Sequence, residues 1–148
     1  MRGFEIVSEY KDKNIIVPTR KTLMSAGYDL AAATDVIIKP NEIKQVPTGV
    51  KAYMESDEVL MIFIRSSMAV KFNLTLANNV GIIDADYYNN DNNEGHIFAP
   101  IKNIGDDTVH IKKGERIAQG IFQKYLLADG DDFASGAKRT GGFGSTGV

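Results

Sequence analysis

The apolar residues of this chain come in short runs, and this limits its fold more than any other feature. FEIV (4–7), NIIV (14–17), VIIK (36–39), EIKQVPTGVKAYM (42–54), EVLMIFI (58–64), NLTLAN (73–78), HIFAPIKNI (96–104), TVHI (108–111) and RIAQGIFQKYLL (116–127) are rich in β-branched residues. Pro, Gly, Asn and Asp separate them. Short runs of this kind, bounded by turn formers, read as strands, and many in series read as a sandwich or barrel. One stretch departs from the pattern. Arg65-Ser66-Ser67-Met68-Ala69-Val70-Lys71 sets helix formers behind two serines, and a serine can cap a short helix.

From Ala128 the composition changes. ADGDDFASGAKRTGGFGSTGV is dominated by Gly, Ser, Thr and Asp, and Phe133 and Phe143 have no periodic apolar partners. Such a segment buries too little to order itself. The expectation is a β domain over 1–127 and a flexible arm over 128–148. A total of 148 residues suits one such domain.

Composition removes several chemistries. There is no cysteine, hence no disulfide, thiolate metal site, iron–sulfur cluster or cysteine nucleophile. The two histidines, His96 and His110, are too few for a multi-histidine metal site in one chain, and are expected at the surface or across strands. A net charge of −2 argues against polyanion binding by bulk charge. The first residues carry charges where a signal peptide needs an apolar run, and no stretch approaches the ~18 apolar residues of a membrane span. A cytoplasmic protein without nucleic-acid or membrane partners is expected.

Five segments hold side chains that can do chemistry, and each also has a plainer reading. Arg65, Ser66 and Ser67 at a helix N-terminus would attract phosphate, with the arginine as a bidentate donor. They also suit a capped surface helix. In Asn78-Asn79-Val80-Gly81-Ile82-Ile83-Asp84-Ala85-Asp86-Tyr87, Gly81 lets a ligand approach the backbone. Asp84, after two large apolar residues, can activate water, and Tyr87 can present its ring to a sugar or base. The same run suits a strand ending in a polar turn. In the tail, glycines around Phe143 can form anion-binding nests, Arg139 suits a terminal phosphate, and Phe143 suits base stacking, worth about 1–3 kcal/mol. A plain disordered terminus is the other reading. Lys112–Gly120 reads as a turn entering a strand, with Arg116 and Gln119 as anion partners. Ala26–Leu30 reads as a bulged strand start with one buried acid, Asp29.

Together and in this order, AGYDL (26–30), RSSMA (65–69), NNVGIIDADY (78–87), GERIAQ (114–119) and GGFGSTG (141–147) resemble the five motifs of the trimeric dUTPases. The resemblance implies an all-β, dUTPase-like fold, a β-clip or distorted jelly-roll barrel, with one short helix and a flexible C-terminal arm. It implies a homotrimer whose active sites lie between subunits, with the arm closing the site from another chain. The implied reaction is dUTP and water to dUMP and pyrophosphate, with Mg²⁺ held mainly by the phosphates. In this likeness Asp84 orients the attacking water. Asn78, Gly81 and the backbone of Ile82 and Ile83 read the uracil edge, and Tyr87 packs under the deoxyribose. Arg65, Ser66, Ser67 and Gln119 bind phosphates. Asp29 reaches the metal through water only. Phe143 stacks on uracil while Gly144, Ser145 and Thr146 wrap the phosphates.

Two places depart from the likeness. After Tyr87 the chain inserts about six polar residues, in the stretch Tyr88 to His96, read either as a solvated loop or as a surface for a protein partner through 88–95. Phe98 is expected to line the pocket beyond it. In the arm, Lys138 stands at the usual arginine spacing; Arg139 is preferred for the terminal phosphate because its planar fork fits better. Asp129, Asp131 and Asp132 are expected as a solvated acidic linker. Two other functions stay open: the related dCTP deaminase, and a protein-binding regulator that keeps the nucleotide fold.

Overall fold

The structure is a computed structural model that describes residues 1–131 and residue 142. Among these residues it has eleven strands and one α-helix. The strands are β1 (Gly3–Ile6), β2 (Tyr28–Ala31), β3 (Val36–Ile38), β4 (Ile43–Pro47), β5 (Val50–Tyr53) and β6 (Glu58–Ile64). After helix α1 (Ser66–Phe72) come β7 (Leu74–Leu76), β8 (Gly81–Asp84), β9 (Phe98–Asn103), β10 (Val109–Ile111) and β11 (Arg116–Lys124). All pairings are antiparallel. The largest sheet runs β2-β11-β6-β8, a second runs β4-β9-β7, and β1-β5 and β10-β3 form two-stranded ribbons.

Alternation along the strands builds the core. In β6, Glu58, Leu60 and Ile62 point inward while Val59 and Met61 are half-buried. Leu30, Ile38, Val46, Leu74, Leu76, Ile97, Ile101, Ile111 and Ile117 join them in one cluster. Two of the buried polar residues, Asn103 and Glu58, are answered by close partners. Asn103 donates to the carbonyls of Ile38 (2.9 Å) and Asp107 (2.8 Å), and the carboxylate of Glu58 accepts from Arg2. Those Arg2 bonds hold the Glu58 carboxyl below its usual range.

Three readings are corrected. NIIV (14–17) is not a strand: Asn14 takes a left-handed φ of 53°, and Ile15 turns in to pack against Gly49. The run 42–54 is two strands rather than one. Gly49 at φ 74° breaks it, so that β4 pairs with β9 and β5 with β1. At α1 no serine caps the helix. Arg65 holds the N-cap position without a side-chain cap bond, and Ser66 is already the first helical residue. Asn73 closes the helix in the left-handed conformation.

Leu60→Ala should cost about 2–5 kcal/mol, because the side chain is fully buried in the central strand and its neighbours can collapse only partly. Denaturant unfolding at one fixed protein concentration checks this.

Candidate active site

Strand β8 is an edge strand. β6 pairs with one side of it, and no described strand pairs with the other. Such an edge offers backbone N–H and C=O groups to a ligand as it would to another strand. Gly81 is required here by close approach: a Cβ would lie 3.0 Å from Cβ of Ile62 on β6. Beside this edge is a mostly apolar cavity of about 270 Å³. Asn78, Gly81, Ile82, Ile83, Asp84, Tyr87 and Phe98 all line it, so the structure brings these seven expected residues together. Asp84 ends β8 and leads into a turn of 3₁₀ helix, Ala85–Tyr87, which swings Tyr87 into the cavity wall.

A second group gathers at the other end of the large sheet. Gln119 on β11 sits opposite Asp29 on β2 and Phe63 on β6. Arg65 follows β6 directly, and its N–H donates to the carbonyl of Ile117 at 3.0 Å. Arg116 donates to Asp29 at 3.1 Å. Gly27 packs closely on Gln119: a Cβ there would stand 2.4 Å from Oε1 of Gln119, whose side chain would have to shift. Ser67 Oγ is buried and has no hydrogen-bond partner among the described residues, as expected of a group that awaits a ligand or a neighbouring chain.

The two groups are far apart. Asp84 pairs with Val59 near the start of β6, whereas Arg65 stands six residues later, just past its end. At about 3.3 Å per residue the separation is about 20 Å, longer than the triphosphate of a nucleotide. Within one chain, Asp84 and Arg65 thus stand at opposite ends of β6. No group of three or more His, Asp or Glu among the described residues could hold a metal ion.

Sequence reasoning missed three features. Gly142 also lines the cavity, and a Cβ there would come within 2.9 Å of the Tyr87 ring. The paired glycines before Phe143 were the available signal. Arg139, Phe143, Gly144, Ser145 and Thr146 lie outside the described residues. Second, the stretch after Tyr87 is not a loosely solvated loop. Lys51, buried on β5, donates to Asn89 (2.6 Å) and Glu94 (2.7 Å), and Ser8 Oγ donates to Glu94 at 2.9 Å. Third, His96 is buried rather than at the surface. Its Nε2 accepts from the Gly49 N–H at 2.8 Å, and its ring lies 4.2 Å from that of Phe98. His110 is exposed on β10, across from Ile37, as expected.

A dUTPase family profile matches residues 13–147. The chain is 54% identical over 148 residues to the deoxyuridine 5′-triphosphate nucleotidohydrolase of Lactococcus lactis, covering 100% of this chain and 99% of the relative. It superimposes on the crystal structure of dUTPase from Streptococcus mutans with a TM-score of 0.82 at 54% identity, covering 86% of this chain and 99% of that one. A variant dUTPase of Staphylococcus bacteriophage 80alpha with dUpNHpp matches at a TM-score of 0.72 and 26% identity, covering 100% of this chain and 99% of that one.

Burial lowers the pKa of His96 below its ordinary 6.5, outweighing the opposite pull of Glu9 and Glu94. The folded state thus holds the ring neutral, which the Gly49 bond also requires, since a protonated Nε2 cannot accept. The unfolded chain binds the extra proton first. This stability is therefore fully present above about pH 6.5 and is lost as pH falls through the depressed folded value. Wild-type Tm should decline over that range, and His96→Gln should flatten the decline. Equal slopes in thermal melts of both proteins would remove His96 as the cause.

Proposed function

The chain belongs to the dUTPase family, and from that premise we propose that it hydrolyses dUTP to dUMP and pyrophosphate by attack of water on the α-phosphorus. This removes dUTP from the DNA precursor pool and supplies dUMP for dTMP synthesis. The observation that carries the reading is the cavity beside β8, where an open strand edge, a carboxylate and a tyrosine ring surround a space of about 270 Å³.

Each part has a physical task. Uracil pairs with Asn78 and with the backbone of Ile82 and Ile83. A site built to satisfy those edges rejects cytosine by leaving buried polar groups unpaired. Tyr87 packs under the deoxyribose and leaves no room for a 2′-hydroxyl. Asp84, at the strand end, orients the attacking water and accepts its proton. Arg65, Ser66, Ser67 and Gln119 hold the phosphates of a substrate bound at a neighbouring chain's cavity. The ~20 Å separation within one subunit and the unpartnered Ser67 Oγ support a homotrimer with shared sites.

A Mg²⁺ ion bound with the substrate would supply charge neutralisation for the departing pyrophosphate. Asp29, whose Oδ2 already accepts from Arg116, touches it through water only. The arm completes the site, with Arg139 on the terminal phosphate, Phe143 over uracil, and Gly144, Ser145 and Thr146 around the phosphates. A chain without cysteine suits the cytoplasm. No helix among the described residues is long and apolar enough to cross a membrane.

Pyrophosphate release should occur from dUTP with Mg²⁺ and not from dCTP, dTTP or UTP. Ammonia from dCTP would instead make the chain a deaminase. Asp84→Asn should keep nucleotide binding and lose about 10²–10⁴-fold in turnover, the range typical of a positioned base. Turnover near wild type would remove Asp84 from that role.

A further inference from the structure

The stretch after Tyr87 is tied to that tyrosine. Asn93 Nδ2 donates to Tyr87 Oη at 2.8 Å, and Tyr87 Oη donates to the carbonyl of His96 at 2.7 Å. The Tyr87 carbonyl in turn accepts from Asn90 Nδ2 at 2.8 Å. We propose that Asn93 is a positioning residue for sugar selectivity, and that the inserted segment 88–95 is a brace that fixes the Tyr87 ring against the deoxyribose. This rests on the dUTP-binding reading of the cavity.

The direction of the chain of bonds is determined. The Gly95 N–H can only donate, and it points at Asn93 Oδ1 at 3.1 Å. Asn90 Nδ2 donates to the same oxygen at 2.8 Å. The amide of Asn93 therefore turns its Nδ2 to Tyr87, and the single tyrosine proton goes to His96. The loop that aims Asn93 is itself held. Asn90 Oδ1 accepts from the N–H groups of Asn92 (3.0 Å) and Asn93 (3.1 Å). Left-handed backbone at Asn89, Glu94 and Gly95 closes the turn, and Lys51 and Ser8 anchor it through Asn89 and Glu94. Gly95 is obligatory there, since a Cβ would lie 2.8 Å from the Tyr87 carbonyl. A tyrosine hydroxyl caught between a donor and an acceptor cannot swing, and a ring that cannot swing keeps its wall closed to one added oxygen. Gly142, in contact with the same ring, leaves it no room on that side either.

Asn93→Asp keeps the oxygen that accepts from Gly95 and Asn90 but turns the donor facing Tyr87 into an acceptor, so the single tyrosine proton serves either that carboxylate or the His96 carbonyl and one of the two bonds on the hydroxyl is lost. The readout is the ratio of Kd values for dUMP and UMP by calorimetry, which needs no turnover, beside kcat/KM for dUTP and UTP. The preference for the deoxy compound should fall about three- to tenfold, the scale of one hydrogen bond, with dUMP affinity nearly unchanged. Tyr87→Phe, which leaves the loop intact, should lower it similarly. In that background Asn93→Asp should have no further effect, because the shared partner is gone. An unchanged preference in Asn93→Asp, or effects that add in the double variant, would overturn the brace. If Asn93→Asp does not fold, Asn93→Ala enters the same cycle. Absence of wild-type dUTP hydrolysis would strike the proposed reaction, while the Kd ratios would still decide the brace.

Discussion

Strand β6 is hydrogen-bonded on both sides, to β11 and to β8, and the rest of the site depends on that antiparallel pairing. Its first residues carry β8 with Asp84, and its last residue runs directly into Arg65 and helix α1. The register leaves no freedom. A slip of one residue would turn Leu60 and Ile62 to the outside and Met61 into the core. The same strand therefore gives the sheet its core and holds the base pocket and the anion-binding group a full strand length apart. Glu58, buried at the start of β6 and bonded by Arg2, anchors the strand to the N-terminal segment.

That separation is what favours the proposed assembly with shared sites. A strand of seven residues is too stiff and too long to fold its two ends onto one nucleotide. Residues competent to bind phosphate and residues competent to bind a nucleoside lie on one chain but do not face each other. In the proposed trimer, one end of each subunit would meet the other end of its neighbour.

The polar stretch after Tyr87 shows how order can be built without apolar burial. Half of residues 88–95 are asparagine, which serves both as donor and acceptor and tolerates left-handed backbone. Asn90 and Asn93 satisfy the turn's own N–H groups, and the side-chain donors left over reach Tyr87. His96, neutral and buried at the loop's exit, receives the Gly49 N–H, so the loop, the β4–β5 connection and the cavity wall form one network. Its electrostatic anchor is Glu94, whose carboxyl Lys51 holds below the usual range.

Much of this was legible in the chain itself. Short β-branched apolar runs between turn formers mark β6, β9 and β11, and the five motifs appear as residue patterns because their backbones and side chains are chemically constrained. Asn78, Gly81, Asp84 and Tyr87 could be singled out together because they lie within ten residues of each other. What the sequence could not reveal are relations between distant segments. NIIV reads as a strand until Asn14 turns the backbone the other way. A histidine looks like a surface residue until an amide from position 49 and the rings of Phe98 and Tyr10 enclose it. An Asn-rich loop reads as solvated until Lys51 and Ser8 are found beneath it. The sequence alone determined the strand-rich class and the chemistry available, because both are written in local residue types and spacing. Only the tertiary structure decided which of those groups meet, because antiparallel register and long-range hydrogen bonds set distances that no local pattern contains.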